Sequence, residues 1–218
     1  ADYIKQSRQL VMMAPTGRAA RVLNKKTGHD AVTIHKAIYG KAHVQPKKVK
    51  DVAESEFKFV FPINQSENGG NIVAIVDEAS MVCSRKIDHE LFMFGTDNQM
   101  DDLLTFVRPN FGGKVIFVGD PAQLPPVGES VSNALRAEYF QEKGLKVIEA
   151  ELTEVLRQKN DSVIIKNAMM IRDLLKKDKR NQLVFEEQKD DVEMVPSEQF
   201  LDKYLKYRKE SGRHDSVI

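Results

Sequence analysis

Apolar residues in this chain form short continuous runs, and between these runs they recur at the spacing of an amphipathic helix. Continuous runs are typical of strands that are covered on both faces. They occupy residues 10–14, 72–76, 115–118 and 147–148. Helical patterns lie at residues 18–26, 33–39, 84–94 and 132–142. Strands that alternate with helices predict an α/β fold with a mostly parallel sheet.

Residues 40–71 depart from this alternation. They are rich in lysine and then in Asn, Ser and Gly, and they contain an aromatic strand candidate at residues 57–61. We expect an insertion on the sheet that forms a small hairpin. The pattern changes again further along the chain. The sequence therefore predicts a first domain over residues 1–152 and the start of a second over residues 153–218, with a strand at residues 192–195.

Composition sets bounds on the class of protein. With 218 residues, of which 41% are apolar and 30% charged, the chain can bury the core of one large domain. No apolar stretch approaches the roughly 20 residues that span a bilayer, so we expect a cytoplasmic protein without membrane contact. The single cysteine, Cys83, excludes an internal disulfide framework, and its surroundings favour a small core residue over a nucleophile.

Charge is distributed unevenly along the chain. The formal net charge is only +1, yet residues 1–50 contain eleven of the 33 Lys and Arg residues and two of the 32 Asp and Glu residues. This excess predicts a face that binds a polyanion. A solvated lysine surface is the alternative.

An acidic pair follows the second apolar run. Asp77 and Glu78 come directly after residues 72–76 and precede Ala79 and Ser80. Ligands of open parallel sheets bind beyond the carboxyl ends of the strands. There, Asp77 can hold Mg²⁺, and Glu78 can deprotonate the water that attacks a γ-phosphate. A solvated turn is the ordinary alternative for such a pair.

An amide follows the third run. Gln123 lies four residues after Gly119 and precedes the stiff sequence Leu124-Pro125-Pro126. A neutral amide can donate to a γ-phosphate oxygen, so its hydrogen bond depends on whether that phosphate is present. We predict that Gln123 senses the γ-phosphate. A loop-stiffening role is the alternative for the two prolines.

Five segments resemble, in order, the motifs of superfamily 1 helicases. They are A-P-T-G-R-A-A at 14–20, T-I-H-K at 33–36, V-D-E-A-S-M at 76–81, G-D-P-A-Q-L-P-P at 119–126 and L-T-E-V-L-R-Q at 152–158. The likeness is strongest to the RecD and Dda group, which translocates 5′ to 3′ on single-stranded DNA. The resemblance implies a RecA-like P-loop NTPase fold and the start of a second RecA-like domain, with ATP and Mg²⁺ as cofactors.

The resemblance also implies roles for further residues. Five of them match segments that face DNA: Pro15, Thr16, Arg18, Thr33 and His35. A loop that leads into a helix N-terminus supplies amide donors and positive potential for a phosphate. Arg157 matches an arginine that reaches the γ-phosphate across the cleft and stabilises the charge that develops during transfer. A core or capping role for His35 and a surface role for Arg157 are the alternatives.

The sequence departs from the family pattern at the phosphate-binding loop. No G-x-x-x-x-G-K-[ST] segment (the Walker A P-loop) occurs in the 218 residues, nor do the arginine-bearing segments of the second RecA-like domain. ATP affinity depends on the backbone amides and the lysine of that loop. We therefore expect this chain to be part of a longer protein and these residues alone to be inactive towards ATP.

Taken with the resemblance, these features predict an ATP-dependent DNA helicase motor that couples ATP hydrolysis to translocation on single-stranded DNA. Repair or recombination of the kind served by the exonuclease V alpha subunit is the expected setting, with nuclease or helicase subunits as further candidate partners. With 7% aromatic residues and no tryptophan, strand contact should be mainly with phosphates. The alternatives are a non-hydrolysing module that binds single-stranded DNA or docks a partner, and a P-loop ATPase that binds no nucleic acid.

Overall fold

The computed structural model describes residues 9–47, 56–64, 71–108, 111–152, 162–177, 183–188 and 192–211. The contacts between Cα atoms divide the chain into two compact units, residues 1–150 and residues 151–218. The predicted division at residue 152, and the assignment of the second part to a second RecA-like domain, stay predictions.

Strands and helices alternate along the first unit. Within the described residues the strands are β1 Gln9–Ala14, β2 Ala31–Thr33, β3 His43–Lys47, β4 Glu56–Phe61, β5 Ile72–Val76, β6 Phe92–Phe94 and β7 Lys114–Phe117. The helices are α1 Gly17–Thr27, α2 Ile34–Ile38, α3 Gln99–Val107, α4 Ala137–Glu142, α5 Val163–Lys176 and α6 Ser197–Ser211. The last two helices belong to the second unit.

Four parallel strands form the central sheet, in the order β2-β1-β5-β7. Ala14 of β1 pairs with Thr33 of β2, Met13 of β1 pairs with Val76 of β5, and Val76 pairs with Phe117 of β7. Because all four strands run in the same direction, their carboxyl ends lie at one edge. The predicted α/β class with a mostly parallel sheet and flanking helices is confirmed.

The core of the first unit lies where the central sheet packs against α2 and α3. Its fully buried apolar side chains include Met13, Ile34, Ile38, Ile72, Val76, Met100, Leu103 and Val107. Burial of each such side chain contributes about 1.5–3 kcal/mol to folding. Cys83 is also buried, as predicted, and burial raises the pKa of its thiol.

A second, smaller sheet contains β3, β4 and β6. Strands β3 and β4 pair antiparallel, as the predicted hairpin in residues 40–71 requires, and β6 pairs parallel to β4. Side chains two residues apart share one face of a strand. On that face, Phe59 stacks on Phe92 with ring centroids 5.9 Å apart, and Phe61 stacks on Phe94 at 4.5 Å.

The helix predicted over residues 84–94 is wrong. That segment instead leads into β6, where Phe92 pairs with Phe59. Pairing with a neighbouring strand outweighs the local helical spacing of its apolar residues. Helix α3, which follows, is not predicted by the sequence analysis, although Asn98 caps it by accepting a 3.1 Å hydrogen bond from the Asp101 N–H.

Three other sequence predictions need correction. Residues 147–148 form no strand, because no described strand pairs with this segment. The side chain of Ile148 is accordingly 97% exposed. The helix predicted over residues 132–142 is divided by Arg136, whose extended backbone separates a 3₁₀ turn from α4. Residues 192–195 contain only an isolated bridge from Val192 to Gln188.

The second unit contributes α5 and α6. Asn167 of α5 is buried and exchanges two hydrogen bonds with the backbone of Glu186, at 2.8 and 2.9 Å. These bonds tie α5 to the segment at residues 183–188. Among the described residues, no helix combines the length and apolar character that crossing a bilayer requires.

Candidate nucleotide and nucleic-acid site

The acidic pair lies at the carboxyl end of β5. The Asp77 N–H donates to the Met13 carbonyl of β1 at 2.9 Å, which holds this turn against the neighbouring strand. The Glu78 N–H donates to Asp77 Oδ1 at 3.0 Å. Both side chains are half-buried. The pair is therefore fixed at the sheet edge while remaining accessible to a ligand.

Glu78 has a left-handed backbone, with φ of 53° and ψ of 39°. Glutamate rarely adopts this conformation, which costs about 1–3 kcal/mol for a residue with a Cβ. The chain turns sharply here, from a buried strand into the 3₁₀ turn Ala79–Met81. Such strain is concentrated at ligand sites in proteins.

The Gln123 segment follows β7, the strand next to β5. The Val118 N–H donates to the Val76 carbonyl at 2.8 Å, and the Ala79 N–H donates to the Val118 carbonyl at 2.9 Å. Beyond them, Asp120 forms a turn by accepting bonds from the Ala122 and Gln123 N–H groups, both at 3.0 Å. The side chain of Gln123 is exposed.

The loops after β5 and β7 are in backbone contact. A Cβ added at Gly119 would lie 3.1 Å from the Ser80 nitrogen and 3.2 Å from the Ala79 nitrogen. The structure therefore brings the segment that carries Asp77 and Glu78 beside the segment that carries Gln123, at one edge of the sheet.

The residues at this edge fit Mg²⁺ bound together with a nucleotide. Mg²⁺ prefers oxygen ligands and is usually held by one or two carboxylates, with water and substrate phosphates completing its coordination. Asp77 supplies such a carboxylate at the strand end. The described residues contain no cluster of three His, Cys, Asp or Glu side chains that could hold a metal ion.

Thr16 and its neighbours lie at the carboxyl end of β1. The Thr16 hydroxyl oxygen accepts a 3.2 Å hydrogen bond from the Ala19 N–H and so caps α1. A threonine hydroxyl that accepts one hydrogen bond can still donate its own proton to another group. Pro15 is half-buried and Arg18 is exposed.

Thr33 and His35 lie beside them, at the carboxyl end of β2, where Thr33 is the last residue of the strand. Thr33 caps α2 by accepting a 3.2 Å hydrogen bond from the Lys36 N–H. All five predicted DNA-facing residues therefore lie at the carboxyl ends of β1 and β2, whereas the described residues predicted to contact nucleotide follow β5 or β7. The two predicted sites occupy different halves of one sheet edge.

His35 is exposed, but its ring has a defined environment. It lies edge-on to Phe94 with centroids 5.2 Å apart and 5.5 Å from the Tyr39 ring. Its Nδ1 is 3.2 Å from the Gln99 amide nitrogen. Partial burial, together with the charge of His89, lowers the pKa of the imidazole.

A buried polar cluster behind His35 is not predicted by the sequence analysis. Asp102 is fully buried and accepts hydrogen bonds from the Tyr39 hydroxyl at 2.7 Å and from the Thr96 hydroxyl at 2.7 Å. Burial and the bond to Asp102 raise the pKa of Tyr39. Tyr39 and Asp102 are 63 positions apart, so local spacing gives no signal for this contact. Arg157 lies outside the described residues.

Known proteins resemble this chain in sequence. A family model described as an AAA domain matches residues 1–196. The ATP-dependent RecD2 DNA helicase of Deinococcus radiodurans is 32% identical over 158 residues, which are 72% of this chain and 17% of that helicase. A mostly parallel sheet with flanking helices fits the RecA-like P-loop NTPase domain of such proteins. The chain belongs to the AAA domain family and is related to the RecD-like superfamily 1 helicases.

Proposed function

We propose that this chain is part of the motor of an ATP-dependent DNA helicase that couples ATP hydrolysis to translocation on single-stranded DNA. One observation carries the proposal: the acidic pair and the Gln123 loop follow neighbouring parallel strands and are in backbone contact at one sheet edge. This edge is where nucleotides bind in open α/β sheets. The similarity to a RecD2 helicase supports DNA as the second ligand.

In this proposal, Asp77 holds Mg²⁺ and Glu78 accepts a proton from the water that attacks the γ-phosphate. Gln123 donates a hydrogen bond to a γ-phosphate oxygen, and Arg157 stabilises the charge that develops on the transferred group. The magnesium ion would neutralise charge on the phosphates. Because the 218 residues contain no G-x-x-x-x-G-K-[ST] segment, we expect them to hydrolyse ATP only within a longer protein.

Single-stranded DNA would lie across the ends of β1 and β2. Thr16 and Thr33 each begin a helix, where backbone N–H groups favour an anion, and Arg18 adds positive charge. His35 would contact the strand beside them, and Pro15 would shape the loop. We further propose a cytoplasmic role in DNA repair or recombination, with nuclease or helicase subunits as partners.

The central test replaces Gln123 in the full-length protein. Loss of one donor to a developing charge costs about 10²–10³-fold in turnover, so Gln123→Ala should lower the ATPase kcat by about that factor. Gln141→Ala, at an exposed position of α4, is the matched control and should keep full activity. Equal turnover in the two variants would contradict the role of Gln123.

DNA binding is tested separately with a fluorescent oligo(dT) and the same full-length protein. The affinity should fall steeply as salt rises, because phosphate contacts release counterions. Salt-dependent binding without ATP hydrolysis would favour a non-hydrolysing module. Hydrolysis without any binding to the oligonucleotide would favour an ATPase that does not act on nucleic acid.

A further inference from the structure

Glu129, at the end of the Gln123 loop, is bonded to the segment that follows the acidic pair. Its carboxylate accepts two hydrogen bonds from Ser84, one from the N–H at 2.7 Å and one from the hydroxyl at 2.6 Å. The Asn133 amide donates to the same hydroxyl oxygen at 2.7 Å. Burial opposes ionisation of Glu129, but hydrogen bonds from Cys83 and Ser84 outweigh it and lower the pKa of the carboxyl group.

These bonds anchor one end of the loop that contains Gln123. The other end is the Asp120 turn, which contains the Gln123 N–H. Between the two anchors, Leu124 and Val127 are 85% and 89% exposed. Two prolines stiffen the intervening chain, and the Glu129 N–H donates to the Pro126 carbonyl at 3.0 Å, which ties Glu129 to this stiff segment.

Ser84 also contacts the start of α3. Its carbonyl oxygen accepts a 2.9 Å hydrogen bond from the side-chain amide of Asn98, the residue that caps this helix. Gln99, the next residue, lies against His35. The junction of Glu129, Ser84 and Asn98 therefore connects the Gln123 loop to the helix that supports a predicted DNA-facing residue.

We propose that Glu129 is a positioning residue that holds the Gln123 loop against the segment after Asp77 and Glu78 and links this loop, through Ser84 and α3, to His35. The inference rests on the proposed function, because it assigns the loop a role in ATP hydrolysis. Glu129 does not contact the reacting atoms. Instead, it fixes the position of Gln123 and couples DNA binding to the rate of ATP hydrolysis.

The first experiment measures ATPase kinetics of the full-length protein with saturating oligo(dT). Glu129→Ala should lower kcat by about tenfold to a hundredfold, because small misplacements of catalytic groups have effects of that size. The KM for ATP should change by less than about threefold, since binding contacts are retained. Glu129→Gln should recover part of kcat, because its amide oxygen keeps one acceptor. Glu142→Gln, at an exposed position of α4, is the control.

The second experiment measures the ratio of ATPase rates with and without oligo(dT). Gln99→Leu removes the contact with His35, and it should lower this ratio by about fivefold, as should Glu129→Ala. If the two residues act through one connection, the ratio in the double variant should be no lower than the lower of the two single-variant ratios. If the two reductions multiply in the double variant, the residues act independently, and the link to His35 is overturned.

The outcomes separate this inference from the proposed function. An unchanged kcat in Glu129→Ala overturns the positioning role. A loss of kcat explained by a smaller folded fraction in thermal unfolding, with no recovery in Glu129→Gln, assigns Glu129 to stability and also overturns it. Absence of ATP hydrolysis in the unaltered full-length protein would instead refute the proposed function.

Discussion

Two acidic pairs in the first unit are built in opposite ways. In the pair Asp101 and Asp102, the second carboxyl group is fully buried and occupied by hydroxyl and amide donors. Asp77 and Glu78 are half-buried at the end of a strand, in a turn with strained backbone. A carboxylate surrounded by hydrogen-bond donors of the protein stabilises the fold, whereas a carboxylate at an accessible strand end can bind a metal ion or water. Adjacency of two acids in sequence does not distinguish these roles.

The largest expected effect is at Glu78. Glu78→Gln in the full-length protein should lower ATP turnover by about 10²–10⁴-fold, because the amide cannot accept a proton. Nucleotide binding, measured by equilibrium titration, should change by less than about threefold. Glu90→Gln, an exposed glutamate in the same unit, is the control. Normal turnover in Glu78→Gln would return the pair to the solvated-turn interpretation.

Asp102 should affect stability instead of chemistry. Asp102→Ala leaves the buried Tyr39 hydroxyl without this acceptor and removes the bond from the Thr96 hydroxyl, and it should lower the free energy of unfolding by about 3 kcal/mol. The neighbouring Asp101 is partly exposed, and its carboxylate is bonded to Lys143 and to the side-chain amide of Asn98, so Asp101→Ala should cost less, about 1 kcal/mol. Denaturant unfolding of the full-length protein measures both. Equal costs would remove the distinction between the two acids.

A smaller effect is expected at Tyr39. Tyr39→Phe keeps the ring contacts with His35 and Phe94 but removes the bond to Asp102, and it should cost about 1–2 kcal/mol. In the Asp102→Ala background the same substitution should cost much less, because the bond is already absent. Unchanged costs in the two backgrounds would show that Tyr39 stabilises the fold by packing alone.

The smallest effect concerns pH and His35. Because its pKa is lowered in the folded state, the unfolded chain binds a proton more readily. The free energy of unfolding should therefore fall as pH decreases through the unfolded value of 6.5 towards the folded pKa, and then level off. His35→Gln should reduce this slope in urea unfolding, whereas His29→Gln, at an exposed position after α1, should retain it. The same slope in both variants would contradict the assignment.

The central sheet could be predicted because buried parallel strands appear in the sequence as continuous apolar runs. Residues 10–14 and 72–76 illustrate this, and the acidic pair is visible because it ends such a run. The structure of residues 84–94 could not be predicted from a local pattern. The strand at its end, β6, forms by pairing with β4, which is distant in sequence.

The contacts that connect the candidate sites are also absent from any local pattern. Ser84 and Glu129 are 45 positions apart, and His35 and Gln99 are 64 positions apart. Hydrogen bonds between such distant side chains require the fold before they can be recognised. The cap at Asn98 is different, since Asn followed by apolar residues at helical spacing is a local signal.

The contact at Gly119 sets how closely the segments that follow β5 and β7 can approach each other. A methyl group there would press on the amide nitrogens of Ala79 and Ser80, which belong to backbone and can give way only by moving the chain. Any larger residue would act as a spacer between the carboxylates and the carboxamide. How closely these two segments approach each other thus depends on a hydrogen atom in place of a side chain at residue 119.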